Sequence, residues 1–84
     1  MSKIDDTISA IQAAVSQLNE TVAAIGAANS EAGEALSGAQ ALGANGVAEA
    51  MSQCREALDT ASNACGSVAN ALEAALNAAR SASS

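Results

Sequence analysis

The chain contains no Phe, Tyr or Trp. The side chains that contribute most area to cores and interfaces are therefore missing. It contains no His, which removes the commonest metal ligand and the commonest general base. It contains no Pro, so nothing in the sequence forces a helix to break. Basic residues are scarce: Lys3, Arg55 and Arg80 stand against nine acids, for a net charge of −6. That balance repels a phosphate backbone, and neither a basic stripe nor an aromatic platform is available, so nucleic-acid binding is not expected. Anionic membrane surfaces are disfavoured for the same reason. No apolar run approaches the roughly 18–20 residues needed to span a bilayer. Met1-Ser2-Lys3-Ile4-Asp5-Asp6 has no basic segment leading into an apolar one, so a classical signal peptide is not expected. The expected location is the cytoplasm, or outside the cell by a route that reads no such signal.

Two cysteines are present, Cys54 and Cys65. On one helix their spacing is about 16 Å at ~1.5 Å per residue, too far for a mutual disulfide, which needs Cα atoms within about 7 Å. Two thiols without His are a poor zinc set. They read as small buried hydrophobes facing the seam described below; an intermolecular disulfide or redox role is the alternative.

Alanine fills 24 of the 84 positions, and it is the best helix former. In the first half, Ile4, Ile8, Ile11, Val15, Leu18, Val22 and Ile25 alternate spacings of four and three. This is the seam of a coiled-coil-like helix. With Ile8 at heptad position a, the seam continues through Asn29, Ala32, Leu36 and Ala39. Ser2 suits the N-cap, and Asp5 and Asp6 suit the positive end of the helix dipole. Gly26 and Gly33 leave two readings open, a continuous helix or a kink between Ile25 and Glu31. The uninterrupted register favours continuity.

Leu42-Gly43-Ala44-Asn45-Gly46 is the clearest punctuation. Gly43 suits the left-handed position that ends a helix, and Asn45 or Gly46 can open the next. So short a connection makes the helices antiparallel neighbours. In the second half, Val47, Met51, Cys54, Leu58, Ala61, Cys65, Val68, Leu72, Ala75 and Ala79 repeat the four–three alternation. Beside them Ala50, Ala57, Ala64, Ala71 and Ala78 recur every seven residues. This row predicts unusually close approach of two antiparallel backbones. Folding at Ala44 and Asn45 pairs Leu36 with Cys54, Ile25 with Cys65, Val22 with Val68, Leu18 with Leu72 and Ile11 with Ala79. Asn29 falls opposite Thr60 and Ala61, a polar seam residue of the kind that sets register.

The expected fold is therefore all-α: one antiparallel two-helix hairpin, Ala-rich and coiled-coil-like, over residues 1–84. Its helices are expected at about 3–42 and 47–80, with a turn at 43–46 and a frayed tail at 81–84. Small chains bury little surface and usually need a supplement to their core. Ile4, Ile8 and Ile11 face mostly Ala within such a hairpin. A four-helix bundle or larger helical assembly would cover them. The candidate interaction residues are Ile4, Ile8, Ile11, Val15, Leu18, Val68, Leu72 and Leu76.

No catalytic, cofactor or metal site is expected. The acids fall mostly outside the seams, where solvated faces belong. Di-iron bundles need a Glu-x-x-His pair, and the abundant Ser has no base to activate it. Gly43-Ala44-Asn45-Gly46 lacks the Lys and the preceding strand of a phosphate loop.

The overall plan resembles the WXG family of small type VII (ESX) secretion substrates. Those are leaderless, acidic, Ala-rich helical hairpins that dimerise into four-helix bundles. The resemblance is one of architecture over the whole chain. Of the Trp-x-Gly turn that names the family, this chain keeps only the glycine, as Gly43, and it has no Tyr for the family's C-terminal export motif. The expected function is a non-enzymatic helical interaction module, pairing with itself or with another small helical protein, with secretion in the WXG manner as what the resemblance implies. The alternative is a structural subunit that polymerises into a filament or shell, suggested by the low charged content of 14%.

Overall fold

The structure, a computed structural model, describes residues 3–83. Two α-helices of equal length account for nearly all of them: α1 (Lys3–Ala41) and α2 (Asn45–Ser83). No strand occurs among the described residues. The helices lie side by side as an antiparallel hairpin, a flat ribbon with extents of 62 × 17 × 11 Å.

α1 is continuous through Gly26 and Gly33. The heptad seam on either side holds one phase, so packing against α2 outweighs the roughly 1 kcal/mol that each helical glycine costs. The turn follows from Gly43, the one residue described with positive φ, at 72°. Its amide donates to the Gln40 carbonyl at 3.1 Å, and the Ala44 amide donates to the Ala39 carbonyl at 2.9 Å. These are the paired bonds of a Schellman ending, which satisfy carbonyls that a helix terminus would otherwise orphan. The Ala48 amide then donates to Ala44 at 3.0 Å, so α2 starts almost at once.

Helix ends differ from expectation mainly on α2. It opens two residues earlier than Val47 and extends through Ser83, so Ser81–Ser83 form helix where fraying was expected. The Ser83 hydroxyl donates to the Arg80 carbonyl at 2.9 Å, and Arg80 sits in the last turn where a cation suits the dipole. The proposed N-cap, Ser2, and the last tail residue, Ser84, lie outside the described residues.

The seam of α1 is the predicted one with one exception. Ile4, Ile8, Ile11, Val15, Leu18, Ile25, Asn29 and Leu36 are half-buried, and Ala32 and Ala39 are buried. Val22 remains 40% exposed. On α2 six of the ten predicted seam positions are correct. Met51, Leu58, Ala61, Cys65, Leu72 and Ala79 are half-buried or buried, whereas Val47, Cys54, Val68 and Ala75 are exposed. Ala48, Ser62, Ala69 and Leu76 take their place. α2 thus keeps Met51, Leu58, Cys65, Leu72 and Ala79 on the seam and is turned by roughly 50°, half the angle between successive residues, from the predicted azimuth. Two backbones that meet through alanine leave room for Ala48, Ser62 and Ala69 but not for β-branched Val47 and Val68, which move to the flank. Leu76 turns in at the open end, where the isoleucines of α1 need cover.

The alanine row is also corrected. Ala50, Ala57, Ala64, Ala71 and Ala78 are all exposed, so they do not mediate the approach of α1 to α2.

Candidate interaction face

With α2 rotated, the ribbon acquires two unlike faces. A polar clamp marks one of them. The Asn29 amide Nδ2 donates to Asp59 Oδ1 at 2.8 Å, and Arg55 Nε donates to Asn29 Oδ1 at 2.8 Å. The Arg55 side chain crosses Gly33, where a Cβ would lie 3.4 Å from the guanidinium carbon, an ordinary van der Waals contact. Asn29 was expected against Thr60 and Ala61. It finds Arg55 and Asp59 because the rotation of α2 brings these to the seam edge, while the Thr60 hydroxyl bonds its own helix at the Glu56 carbonyl. Bonds to charged partners make this a specific polar link between the helices.

The same face of α2 carries Glu49, Ser52, Glu56, Asn63, Asn70 and Glu73 along its length. These positions follow Asp59 at heptad spacing, three or four residues apart. The azimuth is polar from end to end, broken only by Gly66.

An open groove marks the opposite face. Ala13, Ala14, Gln17, Leu18 and Thr21 of α1 form one wall, and Val68 and Leu72 of α2 the other. Leu18 and Leu72 therefore share a surface, as the expected register has them. Heptad spacing extends the α2 wall from Val68 to Val47, Cys54, Ala61 and Ala75, with the alanine row beside them. No charged side chain occurs along this α2 strip, and apart from half-buried Ala61 it is exposed. On α1 the flanking positions are Thr7, Ala14, Thr21, Ala28 and Ala35, with Lys3, Gln17 and Glu31 farther out toward the edge. The two threonines are internally satisfied. Thr7 Oγ1 donates to the Lys3 carbonyl at 2.9 Å and Thr21 Oγ1 to the Gln17 carbonyl at 3.0 Å. Covering them therefore strands no hydroxyl hydrogen.

The candidate residues divide between these surroundings. Ile4, Ile8, Ile11, Val15 and Leu76 lie half-buried between α1 and α2. Leu18, Val68 and Leu72 border the groove. Val22, expected to meet Val68, is on the other side: it shares the azimuth of Asn29, seven residues on, and lies level with Gly66 on the register of the Asn29–Asp59 bond. With no side chain opposite, it stays exposed. Sequence reasoning missed the clamp and the outward direction of the alanine row. The signal for both was present in α2, where apolar and polar residues segregate to the two flanks of the seam.

Cys65 is half-buried, as a seam position requires, and Cys54 is exposed on the apolar face. No cluster of three or more His, Cys, Asp or Glu side chains able to hold a metal occurs among the described residues. No helix of the described residues is long and apolar enough to cross a membrane.

Nothing matches. No family model, curated protein or solved structure shows significant similarity to the chain. The reading of function rests on the residues and their geometry.

Proposed function

We propose that the protein is a non-enzymatic helical interaction module that completes its core by packing on other helices, either of its own kind or of another small helical protein. One observation carries this reading. Among the described residues only Ala32, Ala39 and Ala79 are buried, and no large side chain is fully buried. A hairpin whose every Ile, Leu and Val keeps contact with water gains only part of the roughly 1.5–3 kcal/mol that each would contribute when fully covered. The ordering entropy of the chain is incurred in full all the same. Association supplies the missing burial. Export in the manner of small WXG hairpins is an extension of this reading that rests on shared architecture alone.

Thermal unfolding followed by circular dichroism over a wide range of concentration tests the module. The midpoint is expected to rise with concentration, because association stabilises only the folded chain. A helical monomer that melts cooperatively at a concentration-independent temperature overturns the reading. Light scattering that grows without limit, with fibres in negative stain, assigns the association to a polymer instead.

A further inference from the structure

Resting on the reading above, we infer that the partner is a second copy of this chain, stacked on the apolar face that carries Val68, Leu72 and the row from Ala50 to Ala78. Three independent observations converge on it.

The first is area. The hairpin exposes 5545 Å², whereas a compact monomer of 8.1 kDa exposes about 4,500 Å². The excess is about 1,000 Å² by the same scaling. One broad face of a ribbon 62 Å by 17 Å also amounts to roughly 1,000 Å², and two such faces together bury about 2,000 Å², the size of a stable dimer interface. A single self-complementary contact therefore removes the whole excess.

The second is charge. Each chain carries −6, which opposes self-association wherever acids meet. All the acids of α2, namely Glu49, Glu56, Asp59 and Glu73, lie on the polar flank. On α1, Lys3 and Glu31 border the apolar face, and Asp6, Glu20 and Glu34, at heptad spacing from groove-lining Ala13, lie at its outer edge. Two copies can meet there with every acid of α2 directed to solvent.

The third is shape. An exposed alanine at every seventh position makes a low ridge beside the Val68–Leu72 groove. A second pair of helices can approach it closely, and alanine loses no rotamer freedom when covered. The polar flank offers no comparable surface, so one face is used and the contact closes at two chains.

The experiment uses the full chain and two pairs of variants. Ala64→Glu and Ala71→Glu place a carboxylate on the apolar face, at positions exposed in the single hairpin. Asn63→Glu and Asn70→Glu place the same charge one residue earlier, on the polar flank. Sedimentation equilibrium is expected to show dimers for the unmodified chain and for both Asn variants. The Ala variants should self-associate at least about a hundredfold more weakly, since the contact would desolvate an unpaired charge in each copy. A second readout needs no variant. Alkylation of Cys54 by a bulky maleimide should be fast in dilute protein and slow as the dimer forms.

Monomers of the unmodified chain at hundreds of micromolar overturn the second copy as occupant. Dimers that persist in the Ala variants, with Cys54 still reactive, overturn the face while leaving self-association intact. Dissociation of the Asn variants instead assigns the contact to the polar flank, against the inference.

Discussion

Val68 and Val22 provide a matched pair for weighing the two faces of the hairpin. Val68 is 48% exposed and Val22 is 40% exposed, so the single chain treats them nearly alike. Val→Ala removes two methyl groups, about 1.6 kcal/mol when burial is complete. Roughly half of that burial exists already in the hairpin, so truncation at either site loses about 0.8 kcal/mol. Helix propensity returns some 0.5 kcal/mol, because alanine escapes the χ1 restriction of a β-branched residue. Each single hairpin should therefore change little in stability. The difference arises only on association. If a second copy covers Val68, the remaining half is buried there, and Val68→Ala forfeits another ~0.8 kcal/mol in each of two chains. The combined 1.6 kcal/mol corresponds to a dimer weaker by about fifteenfold. Val22, on the clamp side, gains no such cover, and Val22→Ala should leave the dimer constant within about twofold. Sedimentation equilibrium on the two variants and the parent measures both effects. Equal weakening by the two substitutions, or none by Val68→Ala, would refute the reasoning.

Other expectations concern the hairpin itself. Gly66→Ala should stabilise by about 1 kcal/mol, since a Cβ there meets nothing within 4 Å, whereas Gly43→Ala should destabilise by about 1 kcal/mol because its φ of 72° disfavours a side chain; denaturant titration at fixed concentration reads both. Gly33→Ala should also stabilise by about 1 kcal/mol, because the new methyl meets the Arg55 guanidinium carbon at 3.4 Å, an ordinary contact with the end of a flexible side chain. Asn29→Ala and Asp59→Ala should each cost about 1 kcal/mol and be non-additive, as members of one exposed hydrogen-bonded set; strict additivity in a double-mutant cycle would show that the clamp carries no coupling. Ile8→Asp with Ile11→Asp places two charges in the half-buried seam, costing several kcal/mol and most of the helicity by circular dichroism, while Ser9→Asp with Ser16→Asp at exposed positions away from the groove should leave the signal nearly unchanged.

Much of the architecture was legible before any coordinates. The four–three spacing of Ile4 to Ile25 predicts the α1 seam, because large aliphatics on one azimuth have a single way to leave water together. Gly43 marks the turn because its left-handed conformation is steric and local. The absence of His and the scarcity of basic residues narrow the chemistry by composition alone. The azimuth of α2 was not legible. Two candidate stripes overlap there, one running through Val47, Cys54 and Val68 and the other through Ala48, Ala69 and Leu76. Choosing between them depends on how closely two backbones approach, a distance that exists only once both helices are in place. The same choice turned the alanine row outward, where sequence periodicity had it between the helices, and brought Arg55 and Asp59 to Asn29. Periodicity along one chain determines which residues share a face; which face meets its neighbour is decided by the volume that the pair of helices must fill.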